Sequence, residues 1–120
     1  MLEFLYINLN LNMDFKELSD RALKIREQYS VLETKKYGKQ WSPSQIMAGF
    51  VGDVGDLSKL TMAKDGVRAI DDVDEKIAHE LADCLWSVIV LANKYNVDLE
   101  KSFLTTMDLL ENRITQETNN

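Results

Sequence analysis

Four carboxylates in this sequence stand where carboxylates are least expected. In the segment IMAGFVGDVGDL, Ile46 to Leu57, the only charged residues are Asp53 and Asp56. In LADCLWSVIVLA, Leu81 to Ala92, Asp83 is alone, with Glu80 one turn before it. On a helix, residues three apart share a face with Cβ atoms roughly 5–6 Å apart, so each pair presents two carboxylates together. Burying anionic carboxylates costs several kcal/mol each unless a cation or hydrogen bonds compensate, and like charges this close drive protonation. A divalent cation resolves the conflict. Oxygen donors with room for waters and phosphates suit Mg²⁺, with Mn²⁺ as a substitute. Either motif alone is common on a solvated helix face. Two readings therefore stay open from the residues: a divalent-cation site, or acids of first helical turns and partners of Lys and Arg from elsewhere.

Other chemistries fail on the inventory. Zinc needs several His or Cys ligands, and the chain has one of each, His79 and Cys84. A di-iron bundle needs Glu-x-x-His on two helices, but Lys76 and Ala82 flank His79 at three residues on either side. His79 reads as a capping or surface histidine, and Cys84, inside an apolar run, as a small buried hydrophobe. No Gly-rich phosphate loop, Ser/His/Asp set or activated cysteine is present. Gly49, Gly52 and Gly55 recur every three residues. They read as close-packing positions, or as space beside Asp53 and Asp56.

The elements that must position the acids follow from caps and periodicity. Asp14 caps a first helix, with Glu17 completing a capping box and Met13 and Leu18 as a staple. That helix runs to about Lys36 and Gly38 ends it. Ser42 and Pro43 start a second, reaching about Lys64 before Gly66. Asp71 or Asp72 caps a third that runs to Tyr95, where Asn96 tolerates a left-handed closing conformation. Asp98 caps a fourth, with a frayed tail over residues 116–120. Before the first helix, Ile7, Leu9 and Leu11 alternate with asparagines, which suits a short strand or an extended arm over residues 1–12. Four helices with short connections predict an all-α, four-helix bundle-like domain spanning residues 1–120. The second and third helices are apolar on nearly all sides, which places them centrally or in an oligomer interface.

Composition sets the outer bounds. With 120 residues and 45% apolar content the chain can build one ordinary core. A formal charge of −6 without a Lys/Arg cluster argues against nucleic acid or an anionic membrane as partner. No signal peptide and no apolar run of roughly 20 residues is apparent, and there is no disulfide framework, so a cytoplasmic location is expected.

VGDVGDL, followed 24 residues after Asp56 by ELADCLWSVIVLANKYNVDLEKSF, resembles the MazG-like all-α nucleotide pyrophosphohydrolases, and is similar to the dCTP pyrophosphatases. The resemblance extends from about Trp41 to Arg113. It implies a Mg²⁺-dependent enzyme that hydrolyses nucleoside triphosphates to monophosphate and pyrophosphate, with water attacking the α-phosphorus. Asp53 and Asp56 match the family's first E-x-x-E, and Glu80 and Asp83 its E-x-x-D. These four are thereby implied as metal ligands and catalytic residues, with Glu80 a candidate acceptor for the water's proton. Aspartate is one methylene shorter than glutamate, so the first pair reaches about 1.5 Å less far. A basic family position appears here as Thr106, and Asn112 and Arg113 lie two residues later than the family alignment places them. Asn112, Arg113 and Trp41 are candidates for substrate contact, as is Lys94, which falls near the face of Asp83 at about 100° per residue or else snorkels to solvent. Trp86 can stack a base but reads better as core. A homodimer or homotetramer burying the third helix is expected. The rival readings are a catalytically silent nucleotide-binding or interaction protein and a phosphoribosyl-ATP pyrophosphohydrolase.

Overall fold

The computed structural model describes residues 13–120, and the expected N-terminal arm lies outside them. Four helices account for these residues: α1 (Phe15–Tyr37), α2 (Pro43–Lys64), α3 (Val73–Lys94) and α4 (Leu99–Asn119). Among the described residues there is no strand.

Local chemistry sets the boundaries. Asp14 Oδ1 accepts the Glu17 backbone N–H at 2.8 Å and starts α1, and Gly38 ends it at φ 83°. Ser42 and Gln45 form a reciprocal capping box ahead of Pro43, so α2 begins at a fixed place. Two helices end in Schellman closures. Val67 N–H bonds Met62 O with Gly66 at φ 83°, and Val97 N–H bonds Ala92 O with Asn96 at φ 56°. Asp72 is at the N-cap of α3 but its side chain makes no cap bond, because its backbone is left-handed (φ 54°) and side-chain capping needs the extended region. Asp98 caps α4 by accepting from Lys101 N–H at 3.1 Å. With no Gly or Pro to stop it, α4 continues past Thr115, where fraying was expected, to Asn119; the Thr115 hydroxyl donates to Glu111 O.

Packing centres on the α2–α3 antiparallel hairpin, which buries Ile46 and Leu60 from α2 against Ile89 and Val90 from α3. The exposed Lys64–Asp74 pair (2.7 Å) spans its closed end. Helix α1 lies on α3, tied by Trp86 Nε1–H donating to Ala22 O at 2.9 Å and by the tilted Tyr29–Trp86 ring pair. What α1 buries is polar: Arg26 and Glu33. In contrast, α4 contributes no buried residue and every position from 100 to 120 is exposed. Four helices are present, then, with α1, α2 and α3 making the packed group. The expected role of the glycines as close-packing positions is corrected. A Cβ on Gly52 or Gly55 would meet nothing, and only Gly49 approaches another residue, the Trp41 ring at 3.6 Å.

Candidate active site

The hairpin register brings Asp53 of α2 opposite Glu80 and Asp83 of α3, and one carboxylate oxygen from each lies within 4.8 Å of the others. All three are half-buried. Burial, then the charges of Asp83 and Asp56, hold the Asp53 carboxyl above its usual range. Burial, then Asp53, Asp83 and Asp56, does the same to Glu80. Glu80 Oε2 is sealed from solvent and has no hydrogen-bond partner among the described residues. An anionic oxygen left without a donor is costly, so the cluster is chemically incomplete as it stands.

The fourth acid stands apart. Asp56 is exposed and outside the three-carboxylate group, although near enough for its charge to act on Asp53 and Glu80. Its place on the helix accounts for this: at about 100° per residue Asp56 is turned roughly 60° from Asp53, toward solvent. His79 Nε2 lies 3.1 Å from Asp83 Oδ2, so the histidine read as surface decoration touches the cluster through Asp83.

From the acids a cavity of about 330 Å³ opens, lined by Asp53, His79 and Asp83 at one end and by Tyr29, Trp41, Trp86 and Val90 among others. That volume is at the lower end of small-molecule sites, which span roughly 300–1,000 Å³. Trp41 reaches it because its backbone N–H donates to Glu33 Oε1 at 2.9 Å and its ring lies over Gly49. Trp86 does two jobs, lining the cavity while its indole N–H anchors α3 to α1. The Cys84 thiol, pushed up by burial and then by the nearby acids, is poorly suited to be a nucleophile.

The remaining predicted contacts fall elsewhere. Lys94 lies on the Asp83 side of α3 by angle, but eleven residues of rise separate them by roughly 16 Å. It lines an adjoining cleft with Arg26, Ser30 and Asn93 rather than the acid cavity. Asn112 and Arg113 are exposed on α4 and line no part of that cavity. Conversely, Arg26 and Tyr29 of α1 line it although nothing singled them out. The signal available was an arginine and a glutamate seven apart on the face of α1 shared by Leu23 and Ser30, a polar pair at core spacing.

Residues 63–116 match the family model of the MazG nucleotide pyrophosphohydrolase domain. This bears out the MazG-like resemblance. The matched stretch contains Glu80 and Asp83 but not Asp53, Asp56 or Trp41. No curated protein and no solved structure matches the chain.

Proposed function

We propose that this MazG-like chain is a cytoplasmic, magnesium-dependent nucleoside triphosphate pyrophosphohydrolase, converting a (d)NTP and water to (d)NMP and pyrophosphate. The observation that carries this reading is the buried, unpartnered Glu80 Oε2 inside a three-carboxylate cluster at one end of a cavity. Only oxygen donors converge there, which suits Mg²⁺ or Mn²⁺ and not a soft metal.

Asp53, Glu80 and Asp83 would hold the metal, and Asp56, exposed beside them, would act through water. Bound there, Mg²⁺ neutralises phosphate charge and activates water at neutral pH. His79 orients Asp83 across their 3.1 Å contact. One carboxylate, Glu80, accepts the proton of the water that attacks the α-phosphorus, and pyrophosphate leaves. The aromatic walls, Tyr29, Trp41 and Trp86, take the nucleoside end.

One observation favours a second reading, a catalytically silent nucleotide-binding protein: Asp56 is missing from the ligand group. A screen of all common ribo- and deoxyribonucleoside triphosphates with Mg²⁺ or Mn²⁺, detecting monophosphate and pyrophosphate, separates the two. Metal-dependent release of both products supports the hydrolase. Nucleotide binding without release supports the silent relative. Including phosphoribosyl-ATP in the panel addresses the remaining activity.

The functional form is a homodimer or homotetramer. Phe103, Met107, Leu110 and Ile114 form an exposed stripe at spacings of four, three and four on α4, and Leu81 and Leu85 are exposed on α3. A second copy of the chain supplies apolar cover of matching chemistry.

A further inference from the structure

Arg26 is the one cation buried among the described residues, and its donors are only partly used. Its Nη2 donates to Glu33 Oε1, and Nε and Nη2 approach Ser30 Oγ at 3.4 Å. Nη1 has no acceptor among the described residues and is reached by solvent, so a ligand there would replace water with its own acceptor. A guanidinium is always charged and carries only donors, so what completes it must be an acceptor.

Its position says which part of a ligand that acceptor belongs to. Along α3 the cavity is lined by Asp83, Trp86, Ser87 and Val90. At 1.5 Å per residue, Val90 lies roughly 10 Å from Asp83. On α2, Ile46 is equally far from Asp53, so the acids mark one end and Ile46 with Val90 the other. Arg26 belongs to the second end, since it also lines the adjoining cleft with Leu23, Val90 and Asn93. Its charge is not among those acting on Asp53 or Glu80. A nucleotide with its phosphates at the acids carries its base to Arg26.

The same carboxylate that clamps Arg26 also accepts the Trp41 backbone N–H. Glu33 therefore fixes an aromatic plate and a donor relative to each other before anything binds, and preorganisation of that kind turns a hydrogen bond into discrimination. We propose that Arg26 is a specificity-determining residue that donates through Nη1 to an exocyclic carbonyl oxygen of the nucleobase, with Glu33 as its positioning residue. Guanine, cytosine, uracil and thymine carry such an oxygen. Adenine carries none and offers an amino donor instead.

This rests on the nucleotide reading above, and the test separates the two. The full chain is titrated with AMP, GMP, CMP and UMP in Mg²⁺, by calorimetry and by tryptophan fluorescence, with pyrophosphate release from the triphosphates measured in parallel. AMP is expected to bind weaker than the tightest of the others by about tenfold to a hundredfold, the range of one charge-assisted hydrogen bond. In Arg26→Met/Glu33→Gln, which leaves no buried charge unpaired and keeps an acceptor for Trp41 N–H, that gap closes through loss of the carbonyl-bearing ligands. The wild-type ranking decides even if this variant fails to fold. AMP binding as tightly as the best ligand overturns the assignment, as does a variant that weakens all four ligands equally, which would place Arg26 on phosphate. The ranking without pyrophosphate release sinks the hydrolase and keeps Arg26, whereas release with adenine equally favoured does the reverse. Absence of monophosphate binding overturns the Arg26 assignment, and absence of pyrophosphate release as well overturns both.

Discussion

Glu80→Gln should make the metal-free protein more stable while removing its response to magnesium. Carboxylate oxygens within 4.8 Å of one another repel by at least roughly 3 kcal/mol per pair at an effective dielectric of about 20. Because the three residues are half-buried, solvent screens much of this, and a net gain of about 1 kcal/mol is expected from neutralising Glu80. For a chain of this length that is roughly 3–5 °C in Tm. The wild type, in turn, gains about 2.7 kcal/mol when Mg²⁺ stands at a hundredfold excess over its Kd, and the variant gains nothing. Thermal melts of both proteins, in EDTA and across a Mg²⁺ series, read all four quantities. A variant that melts below wild type in EDTA would show that Glu80 is a structural partner rather than a ligand in waiting. A variant that still responds to Mg²⁺ would move the metal elsewhere.

Four further outcomes follow from the structure. Asp53 and Glu80 have folded-state pKa values above their ordinary ones, so the folded state holds their protons more tightly. Their contribution to metal-free stability therefore falls as pH rises from the ordinary carboxylate range through the raised values. Mg²⁺ affinity should rise over the same window, which calorimetry at stepped pH measures; affinity flat with pH would contradict it. Glu33 runs the other way: its hydrogen bond from Arg26, then that from Trp41, holds its pKa low, so its stabilisation is present above the ordinary range and lost as pH falls through the depressed value. Acid melts of Glu33→Gln should lack that loss. Asp56→Glu, one methylene longer, should bring a fourth oxygen toward the cluster and tighten Mg²⁺ binding by about tenfold; unchanged affinity would mean that Asp56 has no part in the site. Leu110→Lys should shift sedimentation toward monomer, and an unaltered profile would remove α4 from the interface.

Helix starts and stops were legible because their signals are local. Ser42-Pro43, Gly38, Gly66, Asn96 and Asp98 each act within a turn of themselves, and each closes or opens a helix where the spacing predicts. The convergence of Asp53 with Glu80 and Asp83 was legible for a different reason: a lone acid in an apolar helix has few tolerable places to go. What the spacing did not show was reach. Asp56 shares its helix with Asp53 but is turned roughly 60° from it, which leaves it exposed. Lys94 shares an angle with Asp83 but not a height. Arg26, Tyr29 and Glu33 were hidden because α1 buries polar side chains, so no apolar period marks its inner face. Their partners lie in other elements: Trp41 in the connection between α1 and α2, eight residues from Glu33, and Trp86 on α3, which the packing of α1 on α3 brings against Tyr29.

The central claim is that carboxylates from α2 and α3 share one divalent cation. Crystals grown with Mn²⁺ and measured for anomalous scattering test it directly. A single strong peak is predicted within about 2.0–2.3 Å of oxygens from Asp53, Glu80 and Asp83. A map with no peak there, in protein whose Mn²⁺ is bound elsewhere or not at all, would contradict it.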